Sequence, residues 1–157
     1  MYRFNQILLL LLLSGVVCAE GRFVDNQDGT ITDRQTALVW MKNADCWSKM
    51  EWDDAMEQVK NLNSGSFFSQ TSCKGYSGQD ADWRLPTAVE WESLIDKRNQ
   101  PTLPNGHLFS GVRAGYYWTS SEPPEHKKYA WRISLKDGEF MRGMKRYRKL
   151  VWPIRGG

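Results

Sequence analysis

The chain has 157 residues, and its 21 basic and 18 acidic side chains give a net charge of +3. This length suits one domain with its own core. The sequence has only two histidines, His107 and His126, and contains no H-x-x-x-H, C-x-x-C, G-x-S-x-G or phosphate-loop pattern. Such patterns carry the chemistry of many metal centres, nucleophilic sites and phosphate sites. We therefore expect no enzymatic activity, no cofactor and no metal.

The first 19 residues have the pattern of a cleaved leader. One basic residue precedes an apolar run from Ile7 to Leu13, and a Val-Cys-Ala sequence follows. This order predicts a signal peptide over 1–19, cleaved after Ala19, and a domain over 20–157 in the periplasm or outside the cell. The apolar run is too short for a membrane span, so no transmembrane segment is expected after cleavage. Cys18 leaves a lipoprotein anchor open as an alternative, although the residue before it is larger than a lipobox prefers.

Cleavage leaves two cysteines, Cys46 and Cys73, in the mature chain. An even pair in an exported protein predicts a disulfide, because the compartments outside the cytoplasm are oxidising. All eight tryptophans also lie in the mature chain. That density predicts a large shared aromatic core in a fold with little regular structure.

Turn signals and hydrophobic periodicity divide the first part of the mature chain into short elements. Strand-like residues flank a turn at 26–29, which predicts a hairpin, and another short strand is expected from Leu38 to Met41. Apolar residues at helical spacing predict a helix from Trp52 to Leu62. Segments 63–81 and 98–115 are rich in turn-forming residues and are expected to be long ordered loops.

A strand-to-helix corner is predicted around Pro86. Proline keeps the residue before it extended, and Thr87 with Glu90 three residues later forms a capping box. The helix should run from about 87 to 97. Its three acids, which are Glu90, Glu92 and Asp96, are expected to make structural ion pairs beside Arg84 rather than a catalytic carboxylate pair.

From residue 116 onward the sequence predicts strands. Asp137-Gly138 lies between two strand-like runs and predicts a tight two-residue hairpin turn. The resulting pairs are Leu135 with Phe140, Ile133 with Arg142, and Trp131 with Met144. Arg142 is the only charged residue on this apolar face. We therefore expect either a bulge that turns its side chain away or a side chain whose methylene groups pack while its guanidinium stays exposed. A final strand is expected to place Leu150, Trp152 and Ile154 on one apolar side.

Charge is divided unevenly along the mature chain. Residues 20–121 hold 10 basic and 14 acidic side chains, a net of −4, whereas residues 122–157 hold 10 basic and 4 acidic ones, a net of +6. A clustered positive field favours anionic partners such as acidic glycans, lipopolysaccharide or phospholipid headgroups. Nucleic acid is not expected as the partner of an exported protein. The candidate polyanion-binding residues are Arg132, Lys136, Lys145, Arg146, Arg148 and Lys149. The alternative is a solvated surface that only keeps the protein soluble.

Four strings, in order along the chain, resemble one known family. They are Asp28-Gly29-Thr30-Ile31-Thr32-Asp33 followed by Thr36-Ala37-Leu38-Val39-Trp40, the corner string from Asp82 to Asp96, Tyr117-Trp118-Thr119-Ser120-Ser121, and the closing Val151-Trp152-Pro153-Ile154-Arg155-Gly156-Gly157. They are similar to signature strings of the Lcl C-terminal domain family. The resemblance implies a C-type-lectin-like fold. Together with the elements predicted above, we expect an α+β domain with two helices packed on short antiparallel strands, long ordered loops and one disulfide.

The corner string also resembles the formylglycine-generating-enzyme group, which shares that architecture. That group relies on cysteines late in its domain, and residues 122–157 contain none, so its oxidase activity is not carried over. Some C-type lectins bind sugars through calcium, with several oxygen ligands that include an Asn-Asp pair on a strand. Trp118-Thr119-Ser120 stands where such a pair would lie, and we expect no calcium-dependent sugar site.

These observations favour a secreted or periplasmic binding module without catalytic activity, which recognises anionic glycans through its basic C-terminal surface. The family resemblance points the same way, because some members are similar to adhesin tips that bind sulfated polysaccharides. The alternative is an envelope protein-interaction or structural module that binds a protein partner through its loops at 63–81 and 98–115. The sequence leaves the oligomeric state open.

Overall fold

Two antiparallel sheets and two helices form the fold. The computed structural model describes residues 21–64, 73, 75, 76 and 81–156. The predicted signal peptide and most of the predicted loop at 63–81 lie outside these residues. The elements are β1 (Phe23–Asp25), β2 (Thr30–Asp33), β3 (Leu38–Met41), α1 (Trp52–Leu62), α2 (Ala88–Leu94), β4 (Tyr116–Trp118), β5 (Tyr129–Ser134), β6 (Phe140–Met144) and β7 (Ile154–Arg155).

The larger sheet has the strand order β1-β2-β3-β7 and contains the predicted N-terminal hairpin. Its turn is held locally, because the carboxylate of Asp28 accepts hydrogen bonds from the backbone N–H of Thr30 at 2.9 Å and from its hydroxyl at 2.6 Å. Gly29 has a φ of +87°, and a Cβ there would collide with the backbone of residues 75 and 76. The turn therefore needs glycine for both its conformation and its packing. The predicted strand Leu38–Met41 is confirmed.

The smaller sheet has the order β4-β5-β6, and its hairpin register differs from the prediction by two residues. The observed pairs are Ile133 with Phe140, Trp131 with Arg142, and Tyr129 with Met144. The predicted two-residue turn is wrong because Leu135 leaves the ladder: its side chain is fully buried and its N–H donates to the Gly115 carbonyl at 2.9 Å. A shift of two keeps each side chain on its predicted face. Arg142 stays on that face and is exposed.

Both predicted helices are present, although α2 is shorter than expected. The capping box is complete, since the backbone N–H of Glu90 donates to the Thr87 hydroxyl and the N–H of Thr87 donates to the Glu90 carboxylate. Helix α2 ends at Leu94 because Ile95 is extended and the N–H of Asp96 donates to the Thr102 carbonyl at 3.1 Å. The loop at 98–115 that follows contains no helix or strand, as predicted.

The core is rich in tryptophan, as the composition predicted. Trp40, Trp91 and Trp152 are fully buried and contact one another edge to face, with ring centroids 5.1 to 5.7 Å apart. Phe109, from the loop at 98–115, lies 4.9 Å from Trp152 and joins the same cluster. Edge-to-face packing matches the positive edge of one ring to the negative face of the next. The core therefore connects the larger sheet, α2 and the long loop.

The segment from 149 to 155 connects the two sheets. Leu150 forms a parallel bridge with Tyr117 of the smaller sheet, and Ile154 pairs with Trp40 of the larger one. Every side chain from 150 to 154 is buried, so the predicted alternation of one apolar side is wrong for this segment. The regular strand is limited to Ile154–Arg155. A segment between two sheets is covered on both sides, which removes the two-residue period typical of a half-exposed strand.

A disulfide joins Cys46 and Cys73, with their Cα atoms 4.6 Å apart, which confirms the predicted pair. The predicted α+β class is also confirmed, with two helices and antiparallel strands. The finer assignment to a C-type-lectin-like fold stays a prediction. No helix in the described part of the chain is long and apolar enough to cross a membrane.

Candidate polyanion-binding surface

Two distant parts of the chain bring lysines together beside the smaller sheet. Met50 and Lys149 form an antiparallel bridge, in which each N–H donates to the other's carbonyl at 3.0 and 2.9 Å. The indole Nε1–H of Trp118 donates to the Met50 carbonyl at 3.1 Å and holds this bridge against β4. Because Lys49 precedes Met50, the bridge places Lys49 near Lys149.

Arg132, from the middle of β5, completes the group. It pairs with Trp118 across the sheet, and its guanidinium carbon lies 4.1 Å from the ring centroid of Tyr116. The Nε atom of Arg132 is buried and has no hydrogen-bond partner among the described residues. We call Arg132, Lys149 and Lys49 the cation cluster. Within the residues that the structure describes, none of the three forms an ion pair with a carboxylate.

A glycine in β6 allows Arg132 and Trp118 to pack together. A Cβ on Gly143 would lie 2.9 Å from Cδ of Arg132 and 3.1 Å from the Trp118 ring. Both distances are shorter than an ordinary van der Waals contact between carbon atoms. Gly143 therefore matters here because it has no side chain, and any larger residue displaces the guanidinium or the indole.

Exposed aromatic rings stand at two edges of the cation cluster. Tyr116 is 37% exposed and lies under Arg132, whereas Tyr147 is 52% exposed. The ammonium of Lys149 lies 5.6 Å from the Tyr147 ring centroid and 5.7 Å from that of Trp118. Cations near ring faces are stabilised by the ring quadrupole. The surface thus offers positive charge and flat apolar faces side by side.

The electrostatic environment of Lys149 is dominated by like charge. Burial lowers the pKa of Lys149, and the positive charges of Arg132 and Lys49 lower it further. The only hydrogen bond of its ammonium among the described residues goes to the Arg148 carbonyl at 3.3 Å. Crowded, partly desolvated cations are stabilised when an anion arrives. Within the part of the chain that the structure describes, no carboxylate therefore neutralises the positive charge of the cation cluster.

The structure brings some of the predicted residues to this cluster and separates others. Arg146 lies 5.2 Å from the Tyr147 ring, which it shares with Lys149, and Arg148 is exposed beside it. Lys145 is instead paired with Glu122 at 2.6 Å and lies 3.9 Å from the Trp52 ring. Lys136 lies in the hairpin turn beyond the end of β5, where its carbonyl accepts a hydrogen bond from the Gln100 amide at 3.1 Å. Lys136 and Lys145 are therefore not part of the cation cluster.

A second groove adjoins Lys145 and has mixed charge. Its volume is about 490 Å³, with Glu51 and Asp53 of the α1 start on its wall. Tyr129 and Met144 also line it, together with the cations Lys127, Lys128, Lys145 and Arg146. The two carboxylates reduce its positive field, so this groove suits a polyanion less well than the cation cluster does.

Three contributors to the surface were missed by the sequence reasoning. Lys49 lies in an otherwise acidic part of the chain, and its role depends on the bridge between Met50 and Lys149. No pattern in the sequence places Tyr116 and Trp118 beside these cations. Arg132 and Ala130 share one face of β5 because they are two residues apart in a strand, but no local pattern identifies the segment that packs on that face.

The acids and histidines occupy structural environments. Glu90 accepts two hydrogen bonds from Arg84, at 2.6 and 2.8 Å, and Asp96 accepts two from Arg98, which confirms ion pairing for these two acids. Burial raises the pKa of Glu90, but the hydrogen bonds from Arg84 and Thr87 outweigh it and leave the pKa below its usual value. Burial lowers the pKa of His107, whose ring stacks on Phe109. In the described ranges, no three His, Cys, Asp or Glu side chains lie close enough together to hold a metal ion.

Comparison with known proteins gives a clear family. The family model described as the Lcl C-terminal domain matches residues 29–155. This range contains β2 to β7, both helices and the whole cation cluster. No curated protein matches the chain. Since the family model covers most of the sequence and agrees with its four signature strings, the chain belongs to the Lcl C-terminal domain family.

Proposed function

We propose that this protein is a non-catalytic binding module that recognises anionic glycans at the cation cluster. The observation that carries the proposal is the convergence of Arg132, Lys149 and Lys49 with no carboxylate partner in the described part of the chain. A folded protein gains nothing from crowding like charges. An anionic ligand supplies the missing countercharge, and guanidinium and ammonium groups form strong hydrogen bonds with sulfate or carboxylate oxygens.

The aromatic rings favour a glycan over a simple anion. Tyr116 and Tyr147 are exposed on either side of the cluster, and their faces can stack on the flat apolar side of a sugar ring. The disulfide and the tryptophan core hold the strands and the bridge in place, so little conformational entropy is lost when the ligand binds. This mechanism is surface recognition on the C-type-lectin-like scaffold that the family resemblance implies.

The proposal includes export. The leader pattern of residues 1–19 and the disulfide between Cys46 and Cys73 both support an oxidising compartment, either the periplasm or the cell exterior. Anionic polysaccharides are abundant there. The alternative form of this proposal is a lipid anchor at Cys18. Mass spectrometry of the purified mature protein distinguishes a free Glu20 N-terminus from a lipid-modified Cys18.

Retention on a heparin column tests the glycan proposal. We expect R132Q/K149Q to elute at clearly lower salt than the unchanged protein, because two cations of the cluster are lost. The matched control is R34Q/K60Q, which removes the same charge from two exposed positions, one in the turn after β2 and one on α1. Circular dichroism verifies that both variants are folded. If the two double variants elute together, general charge explains the retention and the proposed site is wrong.

The broader basic surface is tested by replacing Lys145, Arg146, Arg148 and Lys149 with alanine. The proposal expects Lys149 to account for more of the loss in this variant than Lys145, since Lys145 is already paired with Glu122. Restoring Lys149 alone should therefore recover more retention than restoring Lys145 alone. Unchanged elution of the fourfold variant contradicts glycan binding and favours a protein partner at the loops.

A further inference from the structure

The groove beside Lys145, which we call the mixed-charge groove, lies between the start of α1 and the open end of the β5–β6 hairpin. The N–H of Trp52 donates to the Lys145 carbonyl at 2.9 Å, and the N–H of Lys145 donates to the Lys128 carbonyl at 3.0 Å. These bonds join α1, the segment before β5 and the end of β6 at Lys145. The groove has a volume of about 490 Å³, which is within the range typical of sites for small ligands.

Two carboxylates line the groove from the start of α1. Glu51 is the N-cap residue, but its side chain makes no capping hydrogen bond, and Asp53 lies in the first helical turn. Both residues are exposed. Among the residues that the structure describes, neither makes an ion pair. The two carboxylates are therefore available to a cationic group of a ligand.

Three exposed cations line the same groove from the hairpin side, and they are Lys127, Lys128 and Arg146. In the described ranges, none of them makes an ion pair with a carboxylate. Lys145 differs, because its ammonium is paired with Glu122 at 2.6 Å. Opposite charges thus line one groove without neutralising each other through a direct contact.

Tyr129 and Met144 supply the apolar part of the lining. They are paired directly across β5 and β6, so their side chains lie on the same face of the sheet, and both are partly exposed. Phenol rings and thioethers both make favourable contacts with apolar groups. The groove therefore combines carboxylates, cations and an apolar patch.

We propose that the mixed-charge groove binds short zwitterionic peptides, with the peptide ammonium at the two carboxylates and the peptide carboxylate at the hairpin cations. The carboxylates of the groove repel a polyanion, and its cations repel a polycation. A ligand with one charge of each sign is attracted at both ends, and an apolar side chain between them can contact Tyr129 and Met144. None of the three residues of the cation cluster lines this groove, so the inference does not depend on the glycan proposal.

Blocked peptides test the inference on the unchanged protein. The isotope-labelled protein is titrated in NMR experiments with the tripeptide Ala-Leu-Ala, with its N-acetyl form, which lacks the ammonium, and with its amide, which lacks the carboxylate. We expect each blocked peptide to bind at least about threefold more weakly than the free one, the size expected for the loss of an exposed ion pair. Equal affinities for the three peptides, or no binding at millimolar concentrations, overturn the inference.

Two variants of α1 test the carboxylate end. E51Q/D53N should bind free Ala-Leu-Ala at least about threefold more weakly and should no longer distinguish it from the N-acetyl form. The matched control is D54N/E57Q, which removes the same charge from exposed positions of α1 that do not line the groove. Circular dichroism verifies that both variants are folded. If the two variants weaken binding equally, general charge explains the result and the proposed site is wrong.

A second set of variants tests the cationic end. K127Q/R146Q should no longer distinguish free Ala-Leu-Ala from its amide, whereas the control R34Q/K60Q should keep that difference. R132Q/K149Q should bind the peptide as the unchanged protein does, even where its heparin retention is reduced. If R132Q/K149Q instead removes the preference for the free carboxylate, the cation cluster holds the peptide and the inference fails. Unchanged heparin retention in R132Q/K149Q with normal peptide binding removes only the glycan proposal.

Discussion

Removing the disulfide should destabilise the fold by an amount that its loop length predicts. Cys46 and Cys73 are separated by 27 positions, so the bond closes a loop that contains α1. In the chain-entropy relation, a loop of this size removes about 12 cal/mol/K of entropy from the unfolded chain, or about 3.6 kcal/mol at room temperature. Both cysteines are buried, so C46S/C73S adds a smaller cost for placing hydroxyls in the core.

This free energy converts to a measurable shift in the melting temperature. The unfolding entropy of a domain of about 138 residues is about 0.29 kcal/mol/K, using typical values per residue. The double serine variant should therefore melt about 12 °C lower than the oxidised protein in scanning calorimetry. The unchanged protein, fully reduced, provides the control, because it loses the bond without any new side chain and should melt close to the variant.

The reasoning is refuted by a shift below about 4 °C in both samples, because that corresponds to only about 1 kcal/mol. Such a result means that the unfolded chain is already constrained between the two cysteines, or that the bond strains the native state. A large shift in the serine variant with a small shift in the reduced protein instead assigns the loss to the buried hydroxyls.

Three further predictions concern the corner and the small sheet. G143V should abolish most heparin retention while keeping every cation, because the new side chain displaces Arg132; unchanged retention contradicts the packing argument. T87A should lower the unfolding free energy by about 1 kcal/mol in urea titrations, through loss of the helix cap, and a change near zero argues against that role. Since the pKa of Glu90 is lowered in the folded protein, its contribution to stability is present above the unfolded value of 4.5 and is lost as the pH falls through the folded pKa. The free energy of unfolding of E90Q should therefore fall less steeply at acid pH than that of the unchanged protein. The same slope in both proteins is the contrary outcome.

Elements that are stabilised by neighbouring residues could be predicted from the sequence. The turn before Thr30 depends on Asp28, and the start of α2 depends on Thr87 and Glu90, and each of these hydrogen bonds spans at most three residues. Local patterns of this kind carry their own backbone partners. The disulfide was predictable for another reason, because only two cysteines remain after the predicted leader.

Elements with distant partners could not be predicted in the same way. Asp137-Gly138 has a strong hairpin signal, yet Leu135 does not pair with Phe140 as predicted. Its side chain is buried and its N–H donates to the Gly115 carbonyl instead. The end of α2 likewise depends on Thr102, which accepts the N–H of Asp96. In both places a backbone hydrogen-bond partner outside the element outweighs the local preference. No pattern in the neighbouring residues predicts that partner.

The sequence alone determined the family, the α+β class, the cysteine pair and the positive charge of the C-terminal third. Only the tertiary structure decided which cations meet. Lys49 joins Lys149 because Met50 bridges to it, and Arg132 joins them because Gly143 leaves room beside Trp118. Net charge is a property of composition, whereas a binding surface requires side chains from distant segments to converge, and long-range strand pairing and packing determine that convergence.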